Sequence, residues 1–217
     1  MSRFQNSIAT SLILALLFIT TTAYAADSAD AIKQRMGSGD PVQGKNESFL
    51  CQGCHGEVGL SLDDLIPNLA GQYGIYIAKQ LRNFQSGART HQIMSAMAQT
   101  IDDTQLTNIA AYFSSQPQMK GSGKGSNPVA KNLFTNGDPV RGIPPCMSCH
   151  GDNGKGQSPD VSTYPVIGGQ HKEYLMAQLQ NWRSGERSNS PDGVMNMVAK
   201  NLTDKEIDAL TDYISGL

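Results

Sequence analysis

Charge of one sign, cysteine, aromatic residues and long apolar runs are all scarce in this 217-residue chain. It has 17 Lys+Arg against 19 Asp+Glu, a net charge of −2, which excludes a strongly basic nucleic-acid binder. No stretch stays apolar for the ~20 residues that a membrane-spanning helix requires. No run alternates apolar and polar residues as a half-buried strand would. Aromatic residues are 6% and there are only four cysteines, so the placement of those four carries weight. Gly (22) and Pro (10) are plentiful, which predicts short elements and many loops. With 39% hydrophobic and 17% charged residues the chain is globular, long enough for one large domain or two small ones.

Residues 1–25 read as an export signal. Arg3 supplies a positive start, the run from Leu12 to Ile19 is apolar but short, and Ala23-Tyr24-Ala25 is an A-x-A cleavage site. Cleavage is expected between Ala25 and Ala26, and the mature chain is expected to be periplasmic, meeting membranes only through partners. Export usually makes paired cysteines read as disulfides. Here they stand as Cys51-Gln52-Gly53-Cys54 and Cys146-Met147-Ser148-Cys149, each followed at once by His.

The sequence is written twice. Gly39–Gly44 (GDPVQG) returns as Gly137–Gly142 (GDPVRG), and CQGCHG at Cys51 returns as CMSCHG at Cys146. Pro67–Gln72 (PNLAGQ) returns as Pro165–Gln170 (PVIGGQ), and Lys79–Gly87 as Ala177–Gly185. Two units of this size fit tandem domains rather than solenoid repeats. The boundaries are a signal at 1–25, a first domain at 26–116, a linker at 117–128 and a second domain at 129–217. The linker is rich in Gly and Ser; a flexible segment of that length spans about 20 Å. It would let the domains drift unless they dock through an interface of their own.

Each half reads as helix. Helices are expected over Gly71–Ser86 and Gln170–Ser184, closed by Gly87 and Gly185. Capping boxes are expected at Asp102/Gln105 and Thr203/Glu206. The helix that carries Cys51 is expected to start near Asp40, with Pro41 in its first turn.

Two thiols and an imidazole in a CxxCH pentapeptide are what a c-type haem needs: the thiols add across its vinyl groups and the imidazole binds its iron. CQGCH offers Cys51, Cys54 and His55; CMSCH offers Cys146, Cys149 and His150. Zinc would want a fourth ligand in each cluster, and a thioredoxin-like pair would need a βαβ setting. Two copies at equivalent repeat positions predict two covalently bound haem c groups. The sixth ligands come from Met94 or Met97 and from Met195 or Met197. Met94 and Met195 lie seven residues before Ile101 and Leu202, the residues that precede the two final caps. They are therefore chosen, with Met97 and Met197 left as core fillers. His91 has no His counterpart and His171 aligns with Tyr73, so both are read as surface residues. His/Met ligation raises the potential and fills the iron's coordination sphere, which suits electron transfer rather than catalysis. Arg82, Asn83, Trp182 and Arg183 are possible neighbours of haem propionates, or merely a solvated face and a core aromatic.

These motifs together resemble the dihaem cytochrome c4 family, over essentially the whole chain from Asp40 to Leu217. The resemblance implies an all-α protein of two tandem class I cytochrome c domains related by a pseudo-twofold, with haem edges close across their interface. It places the thioethers on Cys51, Cys54, Cys146 and Cys149, and the iron ligands on His55, Met94, His150 and Met195. In small class I cytochromes c a proline carbonyl orients the ligating His, a role that falls here to Pro67 and Pro165. The implied function is periplasmic electron transfer between redox proteins, from a quinol-oxidising complex or other donor towards a terminal oxidase, with no small-molecule substrate. The alternative is the dihaem electron-accepting subunit of a dehydrogenase such as a flavin-containing sulfide dehydrogenase, which shares the same double domain. The two shells differ — CQGCH against CMSCH, Phe84 against Trp182, net charges of −3 and −2 — so two unequal potentials are expected.

Overall fold

The structure, a computed structural model, describes residues 28–157 and 164–217. The expected export signal and its cleavage site lie outside the described residues. The first half comprises α1 (Ala29–Met36), α2 (Pro41–Glu47), α3 (Phe49–His55), α4 (Gly74–Ser86), α5 (Gln92–Ala98) and α6 (Asp103–Ser115). The second comprises α7 (Pro128–Asn136), α8 (Met147–His150), α9 (Lys172–Ser184), α10 (Val194–Lys200) and α11 (Asp204–Ser215). Among the described residues there are no strands, only isolated bridges at Asp138–Ile143 and Gln157–Tyr164. No described helix is long and apolar enough to cross a membrane.

Local chemistry explains most boundaries. Asp40 caps α2, its carboxylate accepting from the Val42 and Gln43 amides, with Pro41 in the first turn. The single helix expected from Asp40 through Cys51 is instead broken at Ser48, whose ψ of 7° leaves the helical region. Ser48 is fully buried and its hydroxyl donates back to Lys45 O at 3.1 Å, which stabilises the break. In the second half Pro144-Pro145 leaves only the short α8 around the cysteine pair. Helices α4 and α9 start two or three residues later than expected, and both stop at a left-handed glycine, Gly87 or Gly185. Both capping boxes form, at Asp102/Gln105 and Thr203/Glu206.

Each half has its own core, built on its last helix. Leu106, Ile109 and Phe113 of α6 meet Ile77, Ala78 and Leu81 of α4. Ile207, Leu210 and Ile214 of α11 meet Phe134 of α7 and Leu175 of α9. Burying a side chain of this size contributes about 1.5–3 kcal/mol.

The linker is not the loose tether its composition suggests. Met119 is buried and its amide donates to Ala70 O at 3.1 Å. Gly121 and Gly123 donate to Leu217 O and Gly216 O at 2.6 and 2.8 Å. Two glycines with positive φ make room for this path. A Cβ on Gly71 would lie 2.3 Å from Gln118 Cα, and one on Gly169 would lie 2.5 Å from Lys120 C. They are the same glycine of the P-x-[LI]-[AG]-G-Q segment in the two copies, so each repeat supplies one bearing for the strap.

Candidate metal centres

Helices α3 and α8 each end in the His of a CxxCH motif, and each His is buried. His55 Nδ1 lies 2.9 Å from Pro67 O, and His150 Nδ1 lies 2.9 Å from Pro165 O. A carbonyl only accepts, so Nδ1 carries the proton and donates, and Nε2 keeps its lone pair for a metal. Burial pulls both imidazole pKa values down, against a smaller upward pull from the carbonyls, which favours the neutral, ligating form. The prolines are held the same way twice. The Leu69 and Ala70 amides share Gly59 O at 2.7 and 2.9 Å, and those of Ile167 and Gly168 share Gly154 O at 2.7 and 2.9 Å.

None of the four cysteines is in a disulfide. Cys54 is exposed and the other three are half-buried. Burial raises the Cys51 thiol and pushes Cys146 up to about 11, so neither is a ready thiolate nucleophile in the folded chain.

Met94 and Met195 sit on equivalent helices, α5 and α10. Each stands four residues before a fully buried alanine, Ala98 or Ala199. Met94 is half-buried against the first core, and Met195 is half-buried. Met197, in contrast, is 59% exposed, a surface residue and not the core filler expected from sequence. His91 is exposed and caps α5 by accepting from the Met94 amide. His171 is not a free surface residue. It is half-buried between the halves, within 3.2 Å of Ser61 O and 3.1 Å of Asp64 Oδ1.

The two halves meet along a seam with pseudo-twofold pairing. Gln72 of the first half donates to Val166 O and accepts from the Val166 amide, both at 2.9 Å. Gln170 repeats this on Asn68, donating to its carbonyl at 2.9 Å and accepting from its amide at 2.8 Å. Deleting both glutamine side chains strands buried amides and carbonyls at about 1–3 kcal/mol each. Gln72→Ala/Gln170→Ala is therefore expected to undock the halves. X-ray scattering of the holoprotein should show a larger radius of gyration; an unchanged radius would place the docking energy elsewhere.

Beside these lies a second reciprocal cluster. Arg89 donates to Gln80 Oε1 of its own half at 2.9 Å, and across the seam to Tyr174 Oη and Gln178 Oε1 at 3.1 and 2.9 Å. Arg187 mirrors it, on Gln178 Oε1 of its own half at 2.8 Å and on Tyr76 Oη and Gln80 Oε1 across the seam at 3.2 and 3.1 Å. Each guanidinium also stacks on the large aromatic of its own half, Phe84 at 4.7 Å and Trp182 at 4.3 Å. Burial raises the Tyr174 hydroxyl pKa, but the two guanidinium groups beside it outweigh that and lower it. No carboxylate among the described residues pairs with either arginine. Neither arginine was expected at a site from the sequence; Arg82 and Arg183, seven and four residues earlier, are instead paired with Asp103 and Asp204. The missed signal was a constant spacing of 98 that links Tyr76 to Tyr174, Gln80 to Gln178 and Arg89 to Arg187.

Residues 130–217 match the Cytochrome c family model. The chain is 37% identical to cytochrome c4 of Stutzerimonas stutzeri, over 98% of this chain and 100% of that one. The chain belongs to the cytochrome c4 family. Its fold agrees with the crystal structure of reduced recombinant cytochrome c4 from Pseudomonas stutzeri, at a TM-score of 0.76 and 36% identity over 83% of this chain and 100% of that one. It is also 32% identical to the thiosulfate dehydrogenase electron acceptor of Stutzerimonas stutzeri strain A1501, over 94% of this chain and 92% of that protein. As a cytochrome c4 family member the chain is a dihaem electron carrier rather than an enzyme, with two covalently bound haem c groups and redox proteins as partners.

Proposed function

We propose that the chain is a periplasmic two-site electron relay, with domains at 26–116 and 129–217 joined by the strap at 117–128. In this reading Cys51 and Cys54, and Cys146 and Cys149, form the thioethers. His55 and His150 are the fifth iron ligands, and Met94 and Met195 the sixth. The observation that carries it is the matched His–proline carbonyl bond, 2.9 Å in both halves, at the end of each CxxCH helix. When bound, each haem supplies a one-electron Fe(III)/Fe(II) couple, whose potential His/Met ligation raises.

The protein's part is orientation and electrostatics. Pro67 and Pro165 fix the imidazole planes. Arg187, which is buried, and Arg89, which is half-buried, supply positive charge without a protein anion, which the anionic haem propionates would answer. Each arginine is steadied by the opposite half, so docking and propionate binding support one another. The seam and the strap keep the two sites on one body, the condition for electron passage within the chain.

The donor is a quinol-oxidising complex or a periplasmic dehydrogenase, and the acceptor a terminal oxidase. The thiosulfate dehydrogenase electron acceptors among the relatives favour a sulfur-compound dehydrogenase as donor. They give the dehydrogenase-linked reading a more specific form than a sulfide dehydrogenase subunit. Export rests on Arg3, the apolar Leu12–Ile19 run and the A-x-A site. Intact-mass analysis of the exported protein is expected to show two haem additions on a chain beginning near Ala26. One addition, or a chain that retains residues 1–25, would contradict this assignment.

A further inference from the structure

Each cross-seam glutamine bonds to the peptide unit that holds the CxxCH histidine of the opposite half. The Pro67 carbonyl and the Asn68 amide belong to one such unit. Its oxygen accepts from His55 Nδ1 at 2.9 Å, and its N–H donates to Gln170 Oε1 at 2.8 Å. The second half repeats this on the unit between Pro165 and Val166. There the oxygen accepts from His150 Nδ1 at 2.9 Å, and the N–H donates to Gln72 Oε1 at 2.9 Å. Neither unit is cis, so oxygen and hydrogen point to opposite sides and the two bonds do not crowd each other.

Both chains of bonds are interior. Gln72, Gln170, Asn68 and Val166 are all buried. Each glutamine oxygen is also held from its own half: Gln72 Oε1 accepts from the Tyr73 amide at 3.1 Å, and Gln170 Oε1 from the His171 amide at 3.0 Å. A hydrogen bond made by a peptide N–H moves charge onto the carbonyl oxygen of the same unit, and linked bonds strengthen one another away from water. A stronger acceptor draws the Nδ1 proton and makes Nε2 a more basic ligand. Docking alone could use any backbone amide of either segment, yet the bond falls on the same unit in both copies.

We propose that Gln72 and Gln170 are positioning residues for the metal centre of the opposite half: Gln72 tunes His150 and Gln170 tunes His55, each through one peptide unit. The proposal rests on the reading of His55 and His150 as iron ligands. A more basic imidazole favours Fe(III), so each glutamine holds down the potential across the seam. The acceptor for each histidine-bearing unit lies in the other half, so each potential is a property of the docked pair.

The test is a spectroelectrochemical titration of the holoprotein, with each wave assigned by the haem-shifted ring-proton signals of His55 and His150. Gln72→Leu fills similar space without an acceptor. It is expected to shift the second-half equilibrium about threefold towards Fe(II), a rise of about 28 mV at about 59 mV per tenfold, and to leave the first-half wave in place. Gln170→Leu should do the reverse. Gln72→Glu keeps an acceptor oxygen for the Val166 amide and should give no rise. Each single variant retains the other glutamine pair, so the radius of gyration by X-ray scattering should stay that of the wild type.

Unchanged potentials in both leucine variants overturn the proposal, as does a shift confined to the variant's own half. An equal rise in Gln72→Glu and Gln72→Leu also overturns it. A rise at both sites with a larger radius would assign the effect to undocking instead. Absence of haem-shifted ring signals from His55 and His150 in the wild-type protein would strike the ligand reading itself, and the proposal with it.

Discussion

Met195→Leu is expected to abolish the six-coordinate low-spin signature of one haem and to lower that haem's potential, while Met197→Leu leaves both signatures intact. The two residues are separated by one position, so helix propensity and composition are nearly matched between the variants. What separates them is placement on α10. Met195 is half-buried and stands four residues before the fully buried Ala199, as Met94 stands before Ala98. Met197 is exposed. Loss of a thioether ligand removes the interaction that favours reduced iron. The reduced-state proton spectrum should therefore lose one of two ligated methyl resonances in Met195→Leu and none in Met197→Leu. The opposite pattern would move the second ligand to Met197.

The second large effect concerns the buried Arg187. Arg187→Met removes a guanidinium that stacks on Trp182 and bonds to both halves through Gln178, Gln80 and Tyr76. A positive charge close to a haem disfavours the oxidised form, so its removal lowers the potential. Leaving a propionate unanswered acts in the same direction. A differential interaction of about 1.4 kcal/mol corresponds to about 60 mV for one electron, and a fall of that order is expected. Arg187→Lys keeps the charge but not the forked geometry, so it should recover part of the potential and little of the docking. Spectroelectrochemical titration reads both variants. Unchanged potentials in Arg187→Met would mean that the arginine serves the seam alone.

The sequence made some parts of this protein legible and hid others for physical reasons. CxxCH, the capping boxes and the glycine helix stops are local: a few adjacent residues determine what they do, and each appears where it was expected. Met94 and Met195 could be paired from the sequence because each lies at a fixed distance from a helix cap, and they stand at matching places on α5 and α10, four residues before Ala98 and Ala199. The break at Ser48 was hidden because a buried serine that bonds to its own helix looks like any other helical serine. The strap was hidden because Gly and Ser composition reports flexibility in isolation. It says nothing of Gly71 and Gly169 lying underneath to receive the chain. His171 and the Arg89/Arg187 cluster were hidden because their partners lie in the other half, more than 80 residues away in sequence. Only the docked arrangement shows that those polar residues are interior.

The most direct measurement of the central claim is a pulse of sub-stoichiometric one-electron reductant on the fully oxidised holoprotein, followed at wavelengths where the two haems differ. With two docked sites of unequal potential, the electron should redistribute in a first-order phase whose rate is the same at every protein concentration. A redistribution rate that rises in proportion to protein concentration would show electrons passing between molecules rather than across the seam, and would contradict the relay.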